Sequence, residues 1–298
     1  MLRLAVTGAD GFVGRHVAAL AAERGHRVVA VCRAPDAMVP GADAVIEADL
    51  TEAWPRTPPV DAVVHLAALA AVGPSFDEPV RYIADNAAMT AHLCEALLHG
   101  PRPAPRVIAA STGAIYARSE RAVDESVPLA FASPYAVSKS TVDSLLSYYR
   151  HRGLDTVVAR PFNHIGAGQG PGFLVPDLIA RLDALEPGAA LRVGNLDAER
   201  DYTDVRDVAM AYLLLAEAPV LEHDIYNIAS GRARSGHEVL AAICAAKGRE
   251  LPSLRAGRRR PLDVPRVVGD ASRLRRELGW APRFDFETSI AAAIEARV

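Results

Sequence analysis

Short apolar runs rich in Val, Ile and Ala alternate with longer stretches of helical periodicity through the first half of the chain. This alternation restricts the fold more than any other feature. Residues 2–7, 27–32, 44–47, 62–66, 106–111 and 156–160 read as strands, and residues 12–24, 77–98 and 133–152 as helices. Unbroken apolar strands need cover on both faces, which is the mark of a parallel sheet, and the intervening helices supply that cover. Right-handed crossovers then wind the sheet on both sides. The expected fold is α/β, a Rossmann-type doubly wound parallel sheet. Beyond Pro161 the pattern becomes irregular, with Gly and Pro clustered from 166 to 176, before a helical stretch at 204–218. The expected division is a dinucleotide-binding domain at 1–162 and 195–222, and a smaller substrate domain at 163–194 and 223–298.

Composition excludes several classes. Acidic residues (36) outnumber basic ones (33), giving a formal charge of −3, so nothing suggests a general nucleic-acid binder. The densest basic run, Arg258-Arg259-Arg260, is too short to change that. No apolar stretch reaches the roughly 18–20 residues that span a bilayer. The N-terminus runs straight into a strand, which leads to the expectation of no signal peptide. Cys32, Cys94 and Cys244 lie far apart, with neither disulfide nor zinc spacing, so a reduced, cytoplasmic protein without a metal site is expected.

Gly8-Ala9-Asp10-Gly11-Phe12-Val13-Gly14 lies between the first strand and the first helix. Glycines there permit a tight turn and a close backbone approach to a pyrophosphate at the positive end of the helix. The spacing is G-x-x-G-x-x-G rather than the commoner G-x-G-x-x-G. The second strand ends Val31-Cys32-Arg33, without the carboxylate that binds the adenosine ribose in many NAD enzymes. An arginine there suits a 2′-phosphate and favours NADPH, with Arg15 as a second candidate cation. Asp49 and Leu50, after the third strand, are placed to meet the adenine.

Tyr135-Ala136-Val137-Ser138-Lys139 sets a phenol and an ammonium one helical turn apart. With eight tyrosines and two lysines in 298 residues, chance yields roughly 0.05 such pairs. A phenol of ordinary pKa exchanges protons poorly at neutral pH unless a neighbouring cation stabilises its phenolate. Thr112, just past a buried strand, offers a hydroxyl to the same substrate oxygen.

These stretches, with His65-Leu66-Ala67-Ala68, Asp85-Asn86, Ser111-Thr112 and Arg160-Pro161-Phe162-Asn163, resemble an extended short-chain dehydrogenase/reductase of the nucleotide-sugar epimerase/dehydratase class. The resemblance covers essentially the whole length. It implies a catalytic triad of Thr112, Tyr135 and Lys139. Lys139 would also bind the nicotinamide ribose, with Leu66, Ala67, Ala68, Asn86 and Pro161 along the cofactor groove. It further implies a nucleotide-sugar substrate held by Asn163, Phe173, Val175, Arg200 and Arg260. A homodimer formed through the helix faces around 89–98 and 142–149 is also implied.

Residues 160–166, 172–177, 193–196 and 200–207 resemble most closely the branch that reduces GDP-4-keto-6-deoxy sugars. Relatives that eliminate water carry an acidic pair where this chain has Gly113 and Ala114. Relatives that epimerise C3 and C5 carry a cysteine at Gly113 and a histidine at Phe173. The expected activity is NADPH-dependent 4-ketoreduction of an NDP-4-keto-6-deoxyhexose, GDP-linked first and dTDP-linked second. The alternatives are a 4-epimerase with tightly bound NAD and, remotely, an NADP-sensing binding protein. Arg200 and Arg206 have a competing structural reading, as partners of Asp201, Asp204 and Asp207.

Overall fold

A computed structural model describes residues 1–34, 37–257 and 264–296. The first six strands follow the expected runs to within a residue: β1 (Arg3–Thr7), β2 (Arg27–Cys32), β3 (Ala44–Glu47), β4 (Ala62–His65), β5 (Arg106–Ala110) and β6 (Thr156–Pro161). The later strands are short: β7 (Asn163–Ile165), β8 (Leu191–Val193), β9 (Glu199–Asp204), β10 (Ile225–Ile228), β11 (Ala233–Ser235), β12 (Leu254–Ala256) and β13 (Arg266–Val267). Among the described residues seven strands form one parallel sheet in the order β10-β6-β5-β4-β1-β2-β3.

The helices are α1 (Phe12–Glu23), α2 (Val72–Ser75), α3 (Pro79–Leu98), α4 (Pro134–His151), α5 (Leu174–Asp183), α6 (Val205–Glu217), α7 (Gly236–Ala246), α8 (Ser272–Leu278) and α9 (Phe286–Glu295). Local chemistry sets their starts. Proline opens α3 and α4, where its missing N–H costs nothing. Ser133 Oγ accepts from Ala136 N, and Asp204 accepts from Arg206 N at the start of α6.

Strand alternation divides the core between two layers. Leu4 and Val6 pack with Val17 and Ala21 of α1 and with Val208 and Tyr212 of α6. Ala5, between them in sequence, packs with Leu93 of α3 and with Val142 and Leu146 of α4. A separate core gathers Ile165, Val175, Leu178, Leu191, Val239 and Ile290 beneath β7 to β9. There β7 and β13 run parallel to β9, and β11 runs antiparallel to it.

The expected division needs one correction. Residues 225–228 fall within the expected substrate domain, yet β10 is the edge strand of the large sheet, parallel to β6. Ala271, Leu274 and Trp280 from the C-terminal part join the same core as Ile228. The sequence signal is weak because β10 has only four residues and carries a buried Asn227 at its centre.

Candidate active site

The carboxyl ends of β1, β2, β4, β5 and β6 open into one cavity of about 1390 Å³. This is where an open α/β sheet binds its ligands, and the volume exceeds the roughly 300–1,000 Å³ of a typical single-ligand pocket.

At one end the glycine turn closes on itself. Gly8 has φ +60°, its N–H donates to the Val31 carbonyl (2.9 Å), and the Gly11 N–H donates to the Gly8 carbonyl (3.0 Å). A Cβ on Gly14 would stand 2.2 Å from Gly8 O, and one on Gly8 would stand 3.0 Å from the Ala67 backbone. No side chain caps α1, and its first turn holds no acidic residue. The leading amides are therefore available to an anion. Gly8, Gly11, Phe12, Val13 and Gly14 line the cavity here, as do Leu66, Ala67 and Ala68 across from them. Thr7 Oγ1 fixes that opposite wall by accepting from Leu66 N and Ala67 N, both at 3.1 Å. This cradle fits a dinucleotide diphosphate.

Arg33, Asp49 and Leu50 line the far end of the same groove. Hydrogen bonds from Thr51, reinforced by the nearby Arg33 charge, hold the Asp49 carboxyl below the usual carboxylate range.

Two expected cofactor residues lie elsewhere. Arg15 points to the exposed surface and does not line the cavity. Asn86 is buried, because its helix face looks toward α4 rather than the groove. Its Oδ1 accepts from Leu69 N (2.8 Å), and its Nδ2 donates to Leu69 O (3.2 Å) and Ser138 Oγ (2.9 Å). Asn86 thus pins the groove wall to the catalytic helix without touching the groove.

Thr112, Tyr135, Lys139 and Pro161 line the middle of the cavity. Thr112 caps a one-turn 3-10 helix (Gly113–Ile115), its Oγ1 accepting from Ala114 N at 3.1 Å. Burial pushes the Tyr135 phenol up to about 12, while a hydrogen bond with Thr112 opposes that rise. Lys139 is 4% exposed, and its Nζ donates to the Ala110 carbonyl at 2.7 Å. Burial draws its pKa down to about 8, against the opposing charge of Asp143. Desolvation of the enclosed ring dominates the phenol, and the Lys139 ammonium is turned to a backbone carbonyl.

A feature the sequence did not disclose closes this region. The Phe162 ring lies over Gly113, where a Cβ would meet it at 2.7 Å, and over Gly269, where a Cβ would meet it at 2.5 Å. It also stacks on Tyr116, with centroids 6.2 Å apart. An acidic side chain at 113 cannot be accommodated unless Phe162 moves.

At the other end Asn163, Phe173, Val175 and Arg200 line the cavity, joined by Gln169, Arg181 and Arg192, which sequence reasoning missed. His164 stacks on Phe12 with centroids 5.8 Å apart, tying the start of α1 to β7. The segment from 200 to 207 divides in role. Arg200 faces the cavity, but Arg206 makes a two-pronged pair with Asp204 (2.8 and 2.7 Å) and lies 3.5 Å above the Phe284 ring. Asp201 accepts from Ser230, Gly231 and Gly269, and Asp207 from Arg283 N and Phe284 N. These acids are turn-holders. Arg260 lies outside the described residues.

Residues 4–229 match the model of the NAD dependent epimerase/dehydratase family, and the chain belongs to that family. It is an enzyme of the oxidoreductase kind, on a short-chain dehydrogenase/reductase fold. Among its relatives is GDP-6-deoxy-D-mannose reductase of Pseudomonas aeruginosa, 33% identical over 99% of this chain and 98% of that protein. GDP-6-deoxy-D-talose 4-dehydrogenase of Aggregatibacter actinomycetemcomitans is 28% identical over 99% and 96%. The Thermus thermophilus UDP-glucose 4-epimerase structure with NAD superposes with a TM-score of 0.86, at 28% identity, covering 99% of this chain and 98% of that one.

Proposed function

We propose that this chain is an NADPH-dependent 4-ketoreductase of an NDP-4-keto-6-deoxyhexose, with the GDP-linked sugar as first choice. The observation that carries the reading is the composition of the reaction centre. Thr112, Tyr135 and Lys139 converge on it, while Gly113 and Ala114 add no acid or base and Phe162 fills the space above Gly113. Such a centre serves hydride transfer with one proton transfer and nothing more.

The glycine turn and the uncapped start of α1 would hold the diphosphate of the cofactor, and Arg33 would meet its 2′-phosphate through charge-assisted hydrogen bonds. The nicotinamide, when bound, supplies the hydride to C4. Thr112 and Tyr135 orient the C4 ketone by donating to its oxygen, and Tyr135 gives up its phenolic proton as the alkoxide forms. Lys139 sets a positive charge behind the resulting phenolate, which favours departure of the phenolic proton, and the proton is then replaced from water. Asn163 and Arg200 would hold the substrate diphosphate, where the rigid guanidinium fork pairs with phosphate oxygens.

A second reading, a 4-epimerase retaining NAD, is favoured by one observation: the relatives and structural neighbours of this chain include UDP-glucose 4-epimerases. The two are separated by mixing the protein with GDP-4-keto-6-deoxymannose and NADPH, following 340 nm absorbance and identifying the product. Stoichiometric NADPH oxidation with a 4-hydroxy product is expected. Tightly bound NAD in the isolated protein, with UDP-glucose and UDP-galactose interconverted and no net redox change, favours the epimerase.

A further inference from the structure

Behind Lys139 runs a buried polar chain that the reaction above does not use. Asp143 follows Lys139 by one turn of α4 and is 9% exposed. Arg160, on β6 and 4% exposed, donates from Nε (3.0 Å) and Nη2 (2.8 Å) to the same oxygen of Asp143, Oδ2. Its Nη1 donates to the Tyr116 hydroxyl (2.8 Å), which donates to Asn227 Oδ1 (2.7 Å). The Asn227 Nδ2 ends the chain on the carbonyls of Val123 (3.0 Å) and Asp270 (3.1 Å). All three nitrogens of Arg160 are thus engaged, and it grips one carboxylate oxygen only. Among the described residues the other oxygen, Asp143 Oδ1, is buried without a well-formed hydrogen bond, as is Ser111 Oγ, the neighbour that favours the charged form of Asp143.

An ion pair at this depth is poor at stabilising a fold, because desolvation cancels most of the attraction. Its one-sided geometry points to another role. We propose that Asp143, clamped by Arg160, is a positioning residue that fixes the charge of the Lys139 ammonium. The proposal rests on Tyr135 and Lys139 forming the proton-transfer pair, and is independent of which sugar is reduced.

The surroundings of Lys139 leave Asp143 as its counter-charge. On α4 it has Tyr135 on one side and Asp143 on the other. From β4 comes His65, kept neutral by burial and by the lysine charge, its pKa drawn down to about 3. From β6 comes Arg160, and from the turn after β5 comes Tyr116, both engaged as described. Tyr82 of α3 and Tyr212 of α6 act on Tyr135 rather than on the lysine. Asp143 opposes the burial that discharges Lys139, and Lys139 in turn favours the charged form of Asp143.

The chain's two lysines make the test direct, since Lys139 and Lys247 give two side-chain NMR signals and Lys247→Arg assigns them. In the full-length protein labelled with 13C-lysine, Lys139 should titrate with a midpoint near 8. Asp143→Asn should lower that midpoint by about 1–3 pH units, the usual effect of one adjacent opposite charge. Asp143→Glu should restore it. If Asp143→Asn alone does not fold around the orphaned guanidinium, the double variant Asp143→Asn/Arg160→Gln is compared with Arg160→Gln alone, and its midpoint should lie lower by a similar amount. A midpoint unchanged in the folded variants overturns the proposal. A shifted midpoint supports it even where Tyr135→Phe turns over normally, an outcome that counts against the proton-transfer reading instead.

Discussion

The two ends of the cavity are built from different materials. The end at the glycine turn, where the cofactor is proposed to lie, is made of backbone: a turn whose glycines touch at 2.2 to 3.0 Å from any added Cβ and an uncapped helix start, with a wall held by the side chains of Thr7 and Asn86. The opposite end, proposed for the substrate, is made of side chains, Asn163, Gln169, Phe173, Arg181, Arg192 and Arg200, drawn from β7, β8, β9, α5 and the loops beside them. Backbone recognition demands fixed residues at fixed spacing and tolerates no change. Side-chain recognition spreads over positions that can vary without disturbing the fold, which suits a family that differs mainly in substrate.

The sharpest way to break this contrast is Gly14→Val. The added atoms would occupy the space of Gly8 O, so the turn must open, and loss of measurable NADPH binding by fluorescence titration is expected. Retained affinity would mean the turn is not a rigid backbone site. Tyr135→Phe comes next and removes the proton donor while sparing both ends, so turnover should fall roughly 10²–10⁴-fold with nearly unchanged cofactor affinity. Turnover at the wild-type rate would remove Tyr135 from the chemistry.

Arg33→Asp probes a part of the proposed cofactor end that depends on a charged side chain. Its NADPH affinity should weaken by about 10–100-fold, as expected for lost charge-assisted contacts, with NADH spared. Calorimetry showing that the unaltered protein prefers NADH would refute the Arg33 argument. The pH profile gives a smaller effect. Because burial lowers the Lys139 pKa to about 8, the ammonium is fully present below that value and disappears above it. The kcat/KM profile, which reports free-enzyme ionisations, should therefore decline above about pH 8. A profile flat to pH 10 would exclude Lys139 as the controlling group. Smallest of all is the effect of Arg206→Ala on catalysis. It should lower the melting temperature, since buried Asp204 loses its two-pronged partner, and leave KM almost unaltered. A large rise in KM would contradict the structural reading of Arg206.

The same contrast explains what the sequence disclosed. The strands β1 to β6, the glycine turn and the Tyr135–Lys139 spacing are local patterns, and each occupies its expected place in the fold. Asn86 turns into the wall beside the groove, and Arg206 takes the structural one of its two readings; both depend on which way a helix face turns, and no local pattern encodes that. Residues 225–228 went to the wrong unit because a four-residue strand with a central asparagine gives no clear periodicity. The lid of Phe162 over Gly113 and Gly269 joins positions more than 100 residues apart, so it emerges only in three dimensions.

The central claim is that this centre reduces C4 and leaves the rest of the sugar untouched. It is tested most directly by running the reaction in heavy water with GDP-4-keto-6-deoxymannose and NADPH, then locating deuterium in the product by NMR and mass spectrometry. One NADPH oxidised per product, with no deuterium at C3 or C5, is the expected result. Enzyme-dependent deuterium at either carbon, or loss of water from an unreduced NDP-hexose, would contradict the account, because Gly113, Ala114 and Phe173 offer no group to move those protons.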